Sequence, residues 1–283
     1  MKAFIEKPSL TGNISFLAKT YRTPEFEIPW HKHIEHEIIY FTEGEGLIFM
    51  GNYVGDFKPG DVFFIGSNLP HTFQKANADL IVNAVVIQFR EEIWGTTFFD
   101  LPECKLIVHF LHKSLGGIKI SPSVAKTLQT PLQELEHQTG FERMLNLFNC
   151  LHILSSTKQR NILSTQTKLE FNPKNKERID NVFQYTIDNF QESITLNEIA
   201  AYADMSVPAF CNYFKKCAKK PYVVFLNEVR VGFASTQLID TQKSIESICF
   251  ESGFNTLVNF NRQFKKVKKM SPSLFRKTFR NSE

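Results

Sequence analysis

The feature that most constrains this chain is a helical pattern that occurs twice near its C-terminal end. Phe260 and Phe264 lie four residues apart and are followed directly by two lysines, and the same pattern occurs fifty residues earlier at Phe210 and Phe214. Residues four apart share one face of a helix, so the rings face inward and the outer face is polar. An apolar inner face and a cationic end are typical of a helix laid in the DNA major groove with lysines on phosphates.

Each copy is preceded by a shorter helix, as in a helix-turn-helix. Thr195 and Glu198 have the spacing of a capping box, and Asp204-Met205 supplies the turn before the first reading helix. Gly253 supplies the turn before the second. The predicted units cover residues 195–219 and 244–269, and Pro221 opens a helix that joins them. Two units on one joining helix are expected to enter successive major grooves.

The outward positions of the reading helices are the candidate DNA contacts. They are Pro208, Cys211, Asn212 and Lys215 in the first unit, and Val258, Asn259, Asn261, Arg262 and Lys265 in the second. Arg262 suits guanine, Asn212 or Asn259 suits adenine, and Val258 suits a thymine methyl group. Lysines are expected on phosphates, which position the protein without reading sequence. We therefore expect the second unit to contribute much of the discrimination between sequences.

The arrangement from Ile248 through Gly253-Phe254, Phe260, Arg262, Phe264-Lys265-Lys266 and Ser271-Pro272 closely resembles the signature of AraC/XylS-family transcriptional regulators. The resemblance implies a double-stranded DNA operator and a small-molecule effector. It also implies a homodimer through helices at 121–156 and allows contact with RNA polymerase. The apolar faces of these helices need a partner, and the sequence fits packing on the barrel as well as it fits packing on a second chain. The chain departs from the family at Lys219 and Lys269, where glycine usually ends each reading helix. Either the helices end differently, or lysine bears a strain of about 1 kcal/mol in the left-handed conformation.

The N-terminal part has a different pattern. From about Ile14 to Phe89, short apolar runs are broken by Gly, Asn and Pro, which predicts a β-sandwich or barrel. Within it, the spacing of two histidines, a glutamate and a glycine, followed by Gly60-Asp61 and Pro70-His71, resembles the cupin, or jelly-roll, pattern. The residues that carry this resemblance to the cupin ligand set are His31, His33, Glu37 and His71.

Three roles remain open for these four residues, because imidazole serves all of them. The favoured interpretation is an effector pocket in the barrel, with no cofactor and no catalytic residue. In cupin enzymes the matching positions hold a divalent metal, and three imidazoles with one carboxylate suit Fe, Mn, Ni, Zn or Cu. The third role is hydrogen bonding alone. The alternative function is accordingly a metal-dependent cupin enzyme that carries a DNA-binding domain.

The predicted architecture is a two-domain α+β protein. Residues 1–160 form the cupin-like domain with its helical appendage, 161–172 a linker, and 173–283 an all-α domain with two helix-turn-helix motifs. From residue 172 onward the chain has 17 Lys and Arg against 11 Asp and Glu, and before it 16 against 18, so positive charge collects in the DNA-binding half.

Composition excludes several classes of protein. No apolar run approaches the length of a membrane span, and the first residues lack the apolar core of a signal peptide. The five cysteines show no CxxC pairing, which favours reduced thiols in a cytoplasmic protein. No Ser/His/Asp arrangement or phosphate-cradling glycine loop supports a hydrolase or an NTPase.

Overall fold

The computed structural model describes residues 4–5, 14–24, 26, 28–76, 79–95, 97–157, 160–164 and 173–280. The strands are β1 (Phe4–Ile5), β2 (Leu17–Arg22), β3 (His31–Lys32), β4 (His36–Glu43), β5 (Gly46–Met50), β6 (Tyr53–Phe57), β7 (Val62–Ile65), β8 (His71–Lys75), β9 (Asn83–Phe89), β10 (Ile118–Ile120) and β11 (Arg160–Ile162). They form a five-stranded sheet of order β1-β3-β8-β5-β6 and a six-stranded sheet of order β11-β10-β7-β4-β9-β2.

Alternation along the strands places two cores on the two sides of the six-stranded sheet. Ile39 and Phe41 of β4 lie in a core shared with the five-stranded sheet, whereas Ile38 and Tyr40 lie in a core shared with helices. No pairing joins the two sheets within the described residues, so the predicted barrel is an open sandwich. Its edge strand β6 contacts a helix of the C-terminal half instead of another strand, which is one way that proteins protect an unpaired edge.

Three helices cover the outer face of the six-stranded sheet. They are α1 (Lys105–Ser114), α2 (Pro122–Glu134) and α3 (Gly140–Ser156). The last two confirm the predicted pair at 121–156, whereas α1 was not predicted. The segment 161–164, predicted as the start of the linker, continues the sheet: β11 pairs with β10, and Ser164 N–H donates to Gly116 O at 2.7 Å. The remainder of the predicted linker lies outside the described residues.

The C-terminal half is helical, as predicted. Its helices are α4 (Pro173–Asn189), α5 (Leu196–Tyr202), α6 (Val207–Ala218), α7 (Tyr222–Asp240), α8 (Ile245–Glu251), α9 (Leu257–Lys268) and α10 (Pro272–Arg280). The predicted capping box is present: Thr195 Oγ1 accepts from Glu198 N–H at 3.2 Å, and Thr195 N–H donates to Glu198 Oε2 at 2.7 Å. In the part of the chain that the structure describes, no helix combines the length and the apolarity needed to cross a membrane.

The molecule is therefore built in four layers. Helices α1 to α3 cover the six-stranded sheet, the five-stranded sheet follows, and the C-terminal helices pack on its far side. Leu47 and Phe49 of β5 share a core with Phe183 of α4 and Phe225 of α7. One sheet thus faces the interior of the sandwich on one side and the helix-turn-helix half on the other.

Candidate nucleic-acid interface and histidine cluster

The second reading helix, α9, divides into an aromatic inner face and a polar outer face. Phe260 and Phe264 are fully buried, with ring centroids 5.6 Å apart. On the opposite side, Val258 is 81 % exposed, and Asn261 and Arg262 are also exposed. The structure confirms the predicted orientation, because the rings form the core of this unit. The role of the outer residues as DNA contacts stays a prediction.

Arg262 is held in place on the exposed surface of α9. Its Nη2 donates to Asn259 Oδ1 at 2.9 Å, and Gln263 Nε2 donates to the same oxygen at 3.4 Å. The side-chain oxygen of Asn259 is therefore already hydrogen-bonded within its own helix. Asn259 is less available to bind adenine than its side chain alone suggests. A guanidinium that is already oriented loses less conformational freedom on binding a base, which strengthens Arg262 as a candidate.

The first reading helix, α6, repeats the arrangement with one difference. Phe210 and Phe214 are buried, and Asn212 and Lys215 are exposed together with Pro208. Cys211, predicted to face outward, is half-buried and packs against the core of this unit. It lies at the border between the inner and outer faces, so it is less accessible than Asn212 and Lys215.

Each reading helix is followed by a C-cap lysine with a left-handed backbone. Lys219 has φ of 57° and Lys269 has φ of 62°, so of the two predicted alternatives the second is correct. The other lysines at the end of α9 differ from one another. Lys265 and Lys266 are exposed, whereas Lys268, which we expected on a phosphate, forms an ion pair with Asp56 of the sandwich.

The four cupin-pattern residues meet inside the sandwich, as the resemblance implied. His31 on β3 and His71 on β8 are cross-strand partners with ring centroids 4.1 Å apart. Together with His33, they can place ring nitrogens within 4.8 Å of one another. Glu37 reaches them from β4 of the facing sheet, with Oε2 at 3.1 Å from His33 Nε2 and Oε1 at 3.7 Å from His71 Nε2. We refer to His31, His33, His71 and Glu37 as the histidine cluster.

Backbone carbonyls orient all three rings. Each histidine places Nδ1 near a carbonyl two residues away: His31 near Pro29 O at 2.9 Å, His33 near Glu35 O at 3.1 Å, and His71 near Leu69 O at 2.8 Å. A carbonyl can only accept, so each Nδ1 carries a hydrogen, and Nε2 carries a lone pair in every ring that is neutral. Metal-ligating histidines usually have such a partner on the second nitrogen.

The environment sets the protonation of the cluster. Burial lowers the pKa of His71 to about 3, assisted by His33. Burial, followed by repulsion from His71, lowers the pKa of His31 well below its usual value. For Glu37, burial alone would raise the pKa, but the hydrogen bond with His33 and the charges of the histidines outweigh it, so the pKa is lowered. His31 and His71 are therefore neutral at pH 7, and Glu37 is ionised.

Two features of the cluster fit a cation. Nε2 of His71 is buried and has no hydrogen-bond partner, which is costly unless something occupies its lone pair. His33 Nε2 lies 3.1 Å from Glu37 Oε2. If the only ring hydrogen of His33 is on Nδ1, both of these atoms carry lone pairs and repel each other. A proton or a metal ion between them would remove the repulsion. Three imidazoles and a carboxylate are a donor set for Zn, Fe, Mn, Ni or Cu.

The space beside the cluster is small. A cavity of about 30 Å³ adjoins His31, Glu37 and Gln88. Aromatic rings fill the neighbouring interior, with Phe41 and Phe57 stacked at 4.1 Å between centroids. Pockets for organic ligands usually measure about 300–1,000 Å³. The folded interior therefore accepts an ion or a water molecule, whereas a metabolite would have to displace the rings.

Family models match both halves of the chain. A cupin domain model matches residues 20–87, and a helix-turn-helix domain model matches residues 199–278. The matched ranges contain the whole histidine cluster and both reading helices. The chain is a cupin protein with an AraC-type helix-turn-helix domain.

Several relatives are similar to this cupin and AraC-type chain. The HTH-type transcriptional activator RhaS of Mannheimia succiniciproducens is 23 % identical over 261 residues, which cover 89 % of this chain and 90 % of the relative. An uncharacterized HTH-type transcriptional regulator of Staphylococcus aureus (strain MRSA252) is 23 % identical over 244 residues, which cover 84 % of this chain and 31 % of that protein. The chain thus spans about a third of the length of the first curated relatives that it matches. ToxT of Vibrio cholerae, a solved structure, has a TM-score of 0.38 at 14 % identity, with 94 % of this chain and 99 % of ToxT covered.

Sequence reasoning missed the contacts between the cupin and AraC-type domains. Trp30 packs on Phe183 of α4 with ring centroids 5.8 Å apart, and its backbone N–H donates to Gln184 Oε1 at 3.0 Å. Lys32 forms an ion pair with Asp180 at 2.8 Å. One signal could have found these residues. Successive residues of a strand point to opposite faces, so an inward His31 implies that Trp30 and Lys32 face outward.

One histidine of the cupin motif is separate from the cluster. His36 lies on the opposite face of β4, between the rings of Phe64 and Phe89, and its Nε2 is 2.8 Å from Glu91 Oε1. His36 is adjacent to Glu37 on β4, so its side chain points to the opposite face of the sheet from the cluster.

Two crevices lie between the cupin and AraC-type domains. One, of about 420 Å³, is lined by Trp30, Gln74 and Asp188 among others. The second, of about 570 Å³, lies between β6 and helices α7, α9 and α10. Both are much larger than the cavity beside the histidine cluster.

Proposed function

We propose that this protein is a sequence-specific DNA-binding transcription regulator of the AraC type, whose cupin domain senses a small ligand at the histidine cluster. The observation that carries the proposal is the pair of reading helices with buried aromatic faces and exposed polar faces, on one joining helix. Arg262 and Asn212 supply base-reading groups, and exposed lysines such as Lys215 and Lys265 supply phosphate contacts.

The ligand that fits the cluster best is a divalent transition-metal ion. The donor set, the unpartnered His71 Nε2 and the cavity of about 30 Å³ all support an ion over an organic effector. When bound, such an ion would supply an electrophilic centre that draws the imidazoles and the carboxylate together. Because His31, His71 and Glu37 come from three strands of two sheets, loading would tighten the sandwich.

The five-stranded sheet offers a route from the cluster to DNA. His31 faces the cluster, whereas its neighbours Trp30 and Lys32 contact α4, the first helix of the DNA-binding half. Movement of β3 on ligand binding would therefore be transmitted directly to α4. No flexible linker is needed for this coupling, since the contacts are side chain to side chain.

A metal-dependent enzyme is the competing function for the same cluster. The cavity has room for an ion but not for an organic substrate beside it. This geometry supports a sensor more than a catalyst. Turnover of a small organic acid or a phenol by the metal-loaded protein, lost in His71→Ala, would favour the enzyme instead.

We further propose that the protein acts as a homodimer in the bacterial cytoplasm and contacts RNA polymerase at its promoters. Phe141 is 73 % exposed, and Leu145 on the same helix and Leu106 on α1 are also exposed, which supports a dimer face on these helices. Sedimentation of the wild type and Leu145→Glu checks this, because a charge in an apolar interface disfavours the dimer.

The central experiment is selection of DNA sites from a random pool with the full-length protein, followed by footprinting. We expect a site with two half-sites about ten base pairs apart, one for each reading helix. Affinity for that site is then measured in chelator and with added Zn²⁺, Mn²⁺, Ni²⁺ or Fe²⁺. Binding to DNA without sequence preference would overturn the regulator, and an affinity that no metal changes would overturn the metal-sensing role.

A further inference from the structure

The hairpin β5–β6 of the cupin domain contacts the ends of both reading helices. Asn52, in the turn of the hairpin, is buried, and its Nδ2 donates to the carbonyl of Ala218 at 2.7 Å. Ala218 is the last residue of α6. Lys220, just beyond that helix, returns a hydrogen bond from Nζ to Asn52 O at 3.0 Å. Asn52 therefore caps the first reading helix from another domain.

Asp56 makes the equivalent contact with the second reading helix. Its carboxylate forms an ion pair with Lys268, the last residue of α9, whose side chain is only 16 % exposed. The Lys268 ammonium also lies 5.7 Å from the centre of the Phe275 ring. A charge so placed is fixed by the sandwich and by α10, whereas the neighbouring lysines of α9 are exposed.

These two anchors lie on one rigid hairpin. Asn52 lies in the turn and Asp56 on β6, four residues further along the chain. Strand β6 pairs with β5 in unbroken register from Gly46↔Phe57 to Met50↔Tyr53. The two helix ends are thus attached to points whose separation the sheet holds constant.

The joining helix α7 packs closely against the same hairpin. A Cβ atom on Gly232 would lie 2.9 Å from Leu47 Cδ2, so glycine permits the close approach. Gln237, one turn further along α7, donates from Nε2 to Ala76 O at 2.7 Å. Both reading helices and the helix between them are therefore bound to one part of the cupin domain.

We propose that Asn52 and Asp56 are positioning residues for DNA recognition, which fix the distance and tilt between the two reading helices. The cupin domain then takes part in choosing the half-site spacing of the operator, in addition to any role in sensing. A protein with two reading helices discriminates spacing only as sharply as their separation is fixed. This inference rests on the proposed function, because it presumes that both helices read DNA.

The test compares Asn52→Ala and Asp56→Asn with the wild type, all full-length. The DNA is the selected site and the same site with one or two base pairs inserted between its half-sites. We expect the wild type to lose at least about tenfold in affinity on insertion, and each variant to lose less than about threefold. Glu45→Gln is the matched control, since it removes the same charge from the same crevice and should keep the wild-type spacing preference.

Two results would overturn the inference. If Asp56→Asn keeps the wild-type spacing preference, the anchor does not set the geometry. If Asp56→Asn binds the DNA sites of every spacing more tightly by one common factor, Asp56 acts only by keeping Lys268 away from DNA phosphates. Asp56 is half-exposed, so its isosteric variant should fold and decides the question even if Asn52→Ala does not. If the wild type binds no preferred site, the proposed function is overturned. If the wild type is sensitive to the spacing and the variants behave like it, only this inference is overturned.

Discussion

Lys32 and Asp180 form an ion pair of 2.8 Å that joins the strand of the histidine cluster to the first helix of the DNA-binding half. Asp180 is buried, and the Lys32 ammonium offsets part of the cost of burying its carboxylate. His31, next to Lys32 on the strand, faces the opposite side and lies in the cluster. A change at the cluster is therefore one residue away from a contact with the DNA-binding half.

The Lys32–Asp180 pair should carry the metal response. In the double variant Lys32→Met/Asp180→Asn, we expect DNA affinity in chelator to stay within about threefold of wild type, and the change caused by metal to shrink at least about fivefold. Removing both partners avoids leaving a buried charge unpaired. Fluorescence anisotropy with labelled DNA measures both affinities. Arg22→Met, which breaks an exposed pair with Glu43 inside the cupin domain, is the control. A full metal response in the double variant would contradict the route through β3.

The cluster residues should hold the metal, and His36 should not. We expect His31→Ala, His33→Ala and His71→Ala each to lower the affinity for Zn²⁺ by at least about a hundredfold, because each removes one ligand. His36→Gln should bind normally, since His36 contacts Glu91 on the other face of the sheet. Calorimetric titration and elemental analysis measure this. Equal losses in all four variants would indicate a general effect on folding.

Arg262 should read a base. We expect Arg262→Ala to cost about 1–3 kcal/mol on the preferred site and to relax preference at one base pair. Lys266→Ala is the comparison, because an exposed lysine on a phosphate should weaken preferred and random DNA equally and lower the salt dependence. Competition binding at several salt concentrations separates the two. If Arg262→Ala loses equally on both kinds of DNA, Arg262 contacts a phosphate.

The metal-free protein should lose stability in mild acid. The pKa of His71 is about 3 in the folded chain and about 6.5 when unfolded, so the unfolded state binds more protons between these values. Its contribution is therefore present above pH 6.5 and is lost as the pH falls towards 3. His31 shifts in the same direction. Urea unfolding in chelator should show a loss of about 1 kcal/mol from His71 by pH 5.5, with a further loss from His31 in the same direction. A His71→Gln variant should lose less, and an identical slope would contradict the assignment.

The left-handed lysines should be sites of local strain. Lys269 has φ of 62° at the end of α9, a conformation that costs a residue with a Cβ about 1 kcal/mol. We expect Lys269→Gly to raise the free energy of unfolding by about 0.5–1 kcal/mol, partly offset by the greater freedom of glycine in the unfolded chain. Lys265→Gly, inside the helix, should lower it by about 1 kcal/mol. A loss of stability in both would show that the lysine is not strained.

Local patterns predicted most of the secondary structure around both sites. The four-residue spacing of Phe260 and Phe264 determined which side of α9 is buried, and Thr195 with Glu198 marked the start of α5. The helix α1 was missed, and the choice between a sandwich and a barrel was left open until the structure showed that β6 meets α7 instead of another strand. Neither feature could be predicted from a pattern that extends over only a few residues.

The sequence by itself determined the two kinds of domain, the two reading helices with their exposed residues, and the four side chains of the histidine cluster. Periodicity and turn residues act over a few positions, so they can be read along the chain. Only the tertiary structure decided that the interior beside the cluster admits an ion, and that Lys32 meets Asp180 and Asp56 meets Lys268. Cavity volume and contacts between distant residues depend on how complete layers pack against one another, and no short stretch of sequence records that packing.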